Sequence, residues 1–439
     1  MSLQFEKFES LADLHAPLTL EDAGLSRDLV EQLLLKTLNA VGDLTGIELT
    51  HRLGLTFPVI DPAIGMLKTQ QLCEIVGGTS LGPPSYKYRI SSLGRERAGR
   101  FMDRNMYTGI APVPLDQYRA YMAAFLALTP REITRPLVKA AFAHLVLSDR
   151  VLDQLGPAVS AGHSLFVYGP PGNGKSVISQ AIGNLLPGDL WIPHALEVQG
   201  SLIQIYDPVN HEAYPAAAES TGLDATGQHD RRWVRCRRPL VTVGGEMTLD
   251  ALDLSYNPTA GFYRAPVQLL ANGGTLVIDD FGRQQCSPLA MLNRWISPLE
   301  TRSDFLTLQS GQKFEVPFMV LPVFATNIKP AELVDEAFLR RIQYKVFAEN
   351  PTPWEFTRIF ENCCRDRGIV FDEEHVEHLI ERVMKPRQIM LRGCQPRDLI
   401  NQALLLAQYR DEPRQLTIEL LEQACASYFV DEDQGVTSA

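Results

Sequence analysis

Apolar positions along the chain follow two periods, one near 3.6 residues and one of 2, broken by Gly/Pro clusters. Val30, Leu33, Leu34, Thr37, Leu38 and Val41 recur at helical spacing, and Gly42 ends that helix. Thr45 with Glu48 three residues later predicts a capping box for a second helix through Leu53. Asp61-Pro62 predicts a third helix, with Asp61 as N-cap and proline in first position. Residues 72–76 and 86–90 read as strands across the Gly/Pro loop 77–84, and 91–105 as a helix with Leu93, Ala98, Phe101 and Met102 inward. Gly109, Pro112 and Pro114 mark a boundary, after which 115–128, 136–147 and 148–161 read as helices. A strand then runs into a glycine-rich turn and a helix carrying Val177, Ile178, Ala181, Ile182 and Leu185. Residues 195–207 predict a hairpin about Gln199-Gly200, and 208–230 a polar insertion. Near the end, 353–367, 372–384, 396–409 and 417–429 have the apolar faces of a small helical domain, and 431–439 is polar and frayed.

Composition narrows the function classes. With 439 residues, two or three domains are expected. A net charge of −11 argues against a surface that attracts nucleic acid as a whole. The seven cysteines are scattered and form no C-x-x-C pair, which fits reduced thiols in a cytoplasmic protein. No run approaches the roughly 20 apolar residues needed to cross a bilayer, and residues 1–9 have no signal-peptide character. No membrane insertion is expected.

The chemistry is carried first by Phe166-Val167-Tyr168-Gly169-Pro170-Pro171-Gly172-Asn173-Gly174-Lys175-Ser176-Val177. Its spacing is G-x-x-x-x-G-K-[ST], a phosphate-binding loop between strand and helix. The glycines let backbone N–H groups converge on phosphate, and the helix beginning near Lys175 adds its positive end. Lys175 is expected on the β- and γ-phosphates of ATP, and the Ser176 hydroxyl on Mg²⁺. About 100 residues later the apolar run 275–278 ends in Asp279-Asp280. Asp279 is expected to hold Mg²⁺ through water, and Asp280 to orient the attacking water. Asp280 is a departure, because a glutamate usually stands there. One methylene less means either a compensating backbone or slow hydrolysis.

These motifs, with three more in order, resemble an AAA+ ATPase over residues 137–429. Phe324-Ala325-Thr326-Asn327 resembles the sensor-1 strand end, where Asn327 would hold the nucleophilic water. The segment 335–342 resembles the one bearing the arginine finger, with Arg341 first choice and Arg340 close behind. Gly393-Cys394-Gln395-Pro396-Arg397 resembles sensor 2, with Arg397 reaching the γ-phosphate. The segment from Gly245 to Pro266, and the hairpin about Ser310-Gly311, are similar to the helix-2 and pre-sensor-1 insertions of MoxR-type ATPases. There, Phe262 and Tyr263 are either pore residues that grip a client or core aromatics.

The resemblance implies an α/β P-loop core with a parallel sheet, a small helical lid, and active sites shared between protomers of a homo-oligomer, a hexamer by the same resemblance. The order of elements in the first hundred residues resembles a winged helix. The expected domains are therefore 1–106 (winged helix-like), 107–136 (linker and helix), 137–347 (nucleotide-binding), 348–430 (lid) and 431–439 (tail). Ten basic and ten acidic residues over 20–104 give no basic field for DNA. Arg231, Arg232, Arg235, Arg237 and Arg238 around Trp233 could grip a nucleic-acid backbone, an acidic partner or a neighbouring subunit's phosphates. The reading is a Mg²⁺-dependent ATPase that remodels a protein client. The alternative is a nucleotide-switched DNA-binding regulator.

Overall fold

The computed structural model describes residues 14–78, 82–129, 133–215, 229–333 and 339–429. The tail 431–439 and residues 335–338 of the finger segment lie outside them. The chain forms two compact units that alternate along the sequence: 1–131, 186–276 and 285–321 make the first, and 132–185, 277–284 and 322–439 the second.

The first unit opens with helices Arg27–Val41, Gly46–Leu53 and Phe57–Thr69 and a three-stranded antiparallel sheet in the order Leu44–Thr45, Tyr86–Ile90, Cys73–Gly78. Helix Ser92–Arg104 follows. The expected capping box forms, with both Thr45–Glu48 bonds made. The third helix begins at Phe57, four residues before the expected Asp61, and Pro62 lies inside it. Val59, Ile60, Ala63, Ile64 and Leu67 are all buried on it, and that burial outweighs the hydrogen bond the proline removes. Leu93, expected inward, is exposed. Helix Ser92–Arg104 instead buries Gly94 and Ala98, and a Cβ on Gly94 would come within 2.0 Å of the Leu72 carbonyl oxygen. The backbone approach turns the helix one residue away from the apolar count.

Further along the unit is a five-stranded sheet in the order Ser255–Asn257, Phe262–Arg264, Ser201–Gln204, Ala195–Val198, Val113–Pro114. The hairpin at Gln199-Gly200 is as expected. Phe262 and Tyr263 lie in this sheet. Tyr263 is buried and its hydroxyl accepts from the Gln309 N–H, while Phe262 packs edge-on against Tyr107. Both are core aromatics.

The arginine cluster is also spent internally. Arg232 and Asp230 form a buried ion pair (2.7 Å), and Arg232 donates to the Ala23 carbonyl as well. Arg235 pairs with Asp189 and Arg237 with Glu212. Arg238 lies over the Phe125 ring and donates to the Gly273 carbonyl. Arg231 meets His51. Hairpin Ser303–Thr307/Lys313–Pro317 is antiparallel, as its turn predicts.

The parallel sheet that bears the nucleotide motifs has the order Leu240–Val243, Thr275–Ile278, Leu321–Thr326, Leu165–Tyr168, Tyr344–Phe347. Leu165–Tyr168 is flanked on both sides by parallel partners. Such a sheet is buried on both faces, which is why 275–278 and 321–326 read as continuous apolar runs. Helix Asp149–Ala161, capped by Ser148, precedes the sheet in sequence. The helix before it, Arg135–Ala141, is shorter than expected, because 3₁₀-type bonds from Ala143 to Ala140 and from Leu145 to Phe142 tighten the chain. The lid helices Pro353–Asp366, Glu373–His378, Gln395–Tyr409 and Ile418–Tyr428 form one core around Phe356, Phe360, Leu399 and Leu421. Between the second and third, residues Leu379–Met384 widen into a π-helix.

Candidate nucleotide site

Three adjacent strands end on one edge of the sheet, and each delivers one motif. Leu165–Tyr168 runs into the phosphate loop, Thr275–Ile278 into Asp279-Asp280, and Leu321–Thr326 into Asn327. The rings of Phe166, Phe281 and Phe324 lock these ends together, with centroids 5.1–5.9 Å apart. All three are fully buried. Aromatic packing of this kind fixes strand register, and so the spacing of the three motifs.

The loop has the backbone its sequence requires. Gly169, Gly172 and Gly174 have φ of 148°, 84° and 71°, which only glycine adopts readily. Gly174 is the N-cap of helix Lys175–Gly183, and a Cβ there would project into open space. Lys175 is buried, and its Nζ donates to the Pro170 carbonyl (2.7 Å). Burial pushes its pKa below the ordinary value, while the carboxylates of Asp280 and Asp279 oppose that shift. The ammonium and both carboxylates therefore share one electrostatic site. Ser176 is half-buried on the first turn, and Val177 is exposed.

Asp280 Oδ1 accepts from Asn327 Nδ2 at 3.1 Å, joining the second and third motifs directly. The Asp280 N–H donates to Asp279 Oδ1 (3.0 Å). Gln284 was not legible as a site residue. Its amide donates to the carbonyls of Asp279 (2.9 Å) and Asp280 (3.3 Å) and accepts from the Gly282 N–H (2.8 Å).

Asn173 is the other residue whose partners the sequence does not reveal. Its Nδ2 donates to Asn350 Oδ1 (2.8 Å) and its Oδ1 accepts from the Gly393 N–H (3.2 Å). The Cys394 N–H donates to the Gly172 carbonyl (2.8 Å). Within the loop, Pro170 is half-buried and Pro171 exposed.

Of the three arginines, Arg397 lies on the first turn of helix Gln395–Tyr409 and pairs with Asp398 (2.8 Å), which raises its pKa. Arg340 is exposed and Arg341 half-buried, just before the buried Ile342. Lys345 Nζ braces the turn that bears them, donating to the carbonyls of Leu339 (2.9 Å) and Ile342 (2.7 Å).

Residues 148–208 match the family model described as magnesium chelatase, subunit ChlI, and residues 352–427 match a domain of unknown function, DUF8689. The nucleotide motifs sit in a mixed α/β arrangement built on a five-stranded parallel sheet. Among solved structures, the RuvB Holliday junction branch migration motor of Thermotoga maritima is similar at 14% identity and TM-score 0.38, covering 65% of this chain and 70% of that one. NtrX from Brucella abortus is similar at 14% identity and TM-score 0.41, covering 76% and 62%. NtrX in complex with ADP gives 14%, 0.39, 73% and 62%. None of the curated proteins matches the chain in sequence. No helix among the described residues is long and apolar enough to cross a membrane.

Proposed function

We propose that the protein is a Mg²⁺-dependent AAA+ ATPase that works as a homo-oligomeric ring, of hexameric form, to remodel or assemble a protein client. The observation that carries the reading is the convergence of Lys175, Asp279, Asp280 and Asn327 on one sheet edge. The residues suit the ligands. The positive-φ glycines offer N–H groups and a helix terminus to phosphate, and Ser176 with Asp279 offers the hard oxygen donors that Mg²⁺ takes.

In this reading Lys175 leaves the Pro170 carbonyl and binds the β- and γ-phosphates. Asp280 accepts a proton from, or orients, the water that attacks the γ-phosphorus, and Asn327 fixes that carboxylate. Ser176 and Asp279 would hold Mg²⁺, which would supply charge neutralisation for the phosphates. Arg341, or Arg340 beside it, serves the site of the next protomer, and Arg397 answers from the lid after exchanging Asp398 for phosphate. The first helices and sheet are read as a winged helix that docks protein. The DNA-regulator alternative is not favoured, since the arginines around Trp233 are engaged within the chain. The test is ATP turnover: the wild-type chain hydrolyses ATP in Mg²⁺, and Lys175→Ala abolishes it. An unaffected rate in Lys175→Ala would refute the reading.

A further inference from the structure

Asp280 stands two residues beyond the end of its strand, in the left-handed region at φ 48°. A non-glycine residue stays there only when its surroundings over-determine it. The surroundings here are a six-residue loop, Asp279 to Gln284, closed by one side chain. Gln284 donates to two consecutive carbonyls, Asp279 and Asp280, and accepts from the Gly282 N–H. Phe281 anchors the same loop to the next strand, its N–H on the Ala325 carbonyl (2.7 Å) and its carbonyl on the Thr326 hydroxyl (2.7 Å).

We propose that Gln284 is a positioning residue: it holds the backbone in the turned conformation that lets an aspartate do the work for which a glutamate is otherwise long enough. The inference rests on the ATPase reading above. A methylene lost from the side chain is recovered by moving the Cα, and the outcome is visible in the 3.1 Å contact between Asp280 Oδ1 and Asn327 Nδ2. Only a primary amide can perform this task. It must donate to two carbonyls and accept from one N–H at once, and glutamate, ionised at neutral pH, has acceptors alone. Asparagine has the groups but lacks the reach. The loop is therefore tuned to aspartate, and a longer acid at position 280 overshoots.

The experiment is steady-state ATP turnover by the full chain, with nucleotide affinity measured separately by a fluorescent ATP analogue. Gln284→Ala and the near-isosteric Gln284→Glu both lower kcat by up to about 100-fold, the size of a roughly 1 Å misplacement. Analogue affinity and the Mg²⁺ concentration for half-maximal rate stay unchanged, which also shows the variants are folded. Asp280→Glu loses rate rather than gaining it. In a double-mutant cycle, Asp280→Asn with Gln284→Ala is no slower than Asp280→Asn alone, because the glutamine acts only through that carboxylate.

An additive loss in the cycle, a Gln284→Glu enzyme with normal kcat, or an effect confined to nucleotide or Mg²⁺ affinity would each overturn the proposal. If wild-type turnover is absent or survives Lys175→Ala, the ATPase reading itself falls and this inference with it. If turnover depends on Lys175 but not on Gln284, only the inference falls.

Discussion

Single residues in this chain carry charge into places where water does not follow. Lys36 is 2% exposed and donates to the Asn105 carbonyl (3.0 Å), and burial pushes its pKa from 10.5 to about 8. Its folded pKa lies below its unfolded one, so between those values the unfolded chain binds more protons and stability rises with pH. Buried thiols act in the opposite sense. Cys73 and Cys236 are pushed from 9.0 up to about 11 and about 12, so above pH 9 their ionisation favours the unfolded chain. The rise due to Lys36 is therefore clearest between pH 8 and 9. Urea midpoints over that window should climb for the wild type and climb less for Lys36→Met. The sequence shows Lys36 only as a polar letter on a helix. The phosphate loop and the Asp pair, by contrast, were legible because their chemistry depends on neighbours in sequence. Gln284, the partners of Asn173 and the pairing of Arg232 were not, because each answers to a backbone group or residue that only the folded loop or sheet brings near.

At the scale of elements, the phosphate loop is tied to the lid through backbone and side chain. Gly172 meets Cys394, and Asn173 bridges Asn350 and Gly393. A Cβ on Gly172 would come within 2.6 Å of Cys394 Sγ at a φ of 84°. Gly172→Ala should destabilise the fold by about 1–3 kcal/mol through backbone strain plus this clash. Adding Cys394→Ala should return the steric part alone, read as a partial recovery of the denaturation midpoint. Element identity was largely readable. Strand 86–90, helix 115–128 and all four lid helices lie where periodicity sets them. The misses have local causes: an interior Pro62 that burial overrides, and a Gly94 whose close approach rotates a helix. Phe262 and Tyr263 are open between pore and core in the sequence, since an exposed loop and a short buried strand have the same aromatic content, and the strand they form places them in the core.

For the whole molecule, the proposed shared-site ring would mean that each site is completed from outside the chain. Arg341→Ala should lower ATP turnover by about 10³- to 10⁵-fold. Mixed with Lys175→Ala chains, it should regain activity, because the intact loop of one variant then meets the intact guanidinium of the other. Two inactive pools that stay inactive after co-refolding would rule out shared sites.

The chain passes between its two compact units five times, at residues 131/132, 185/186, 276/277, 284/285 and 321/322. Eight residues, 277–284, enter the second unit between two long runs of the first, and they bring the Asp pair and Gln284 with them. A gene built this way cannot trade one unit for another by one crossover. Any exchange that replaced residues 132–185 alone would leave the Asp pair at 279–280 behind, so the two units are inherited together.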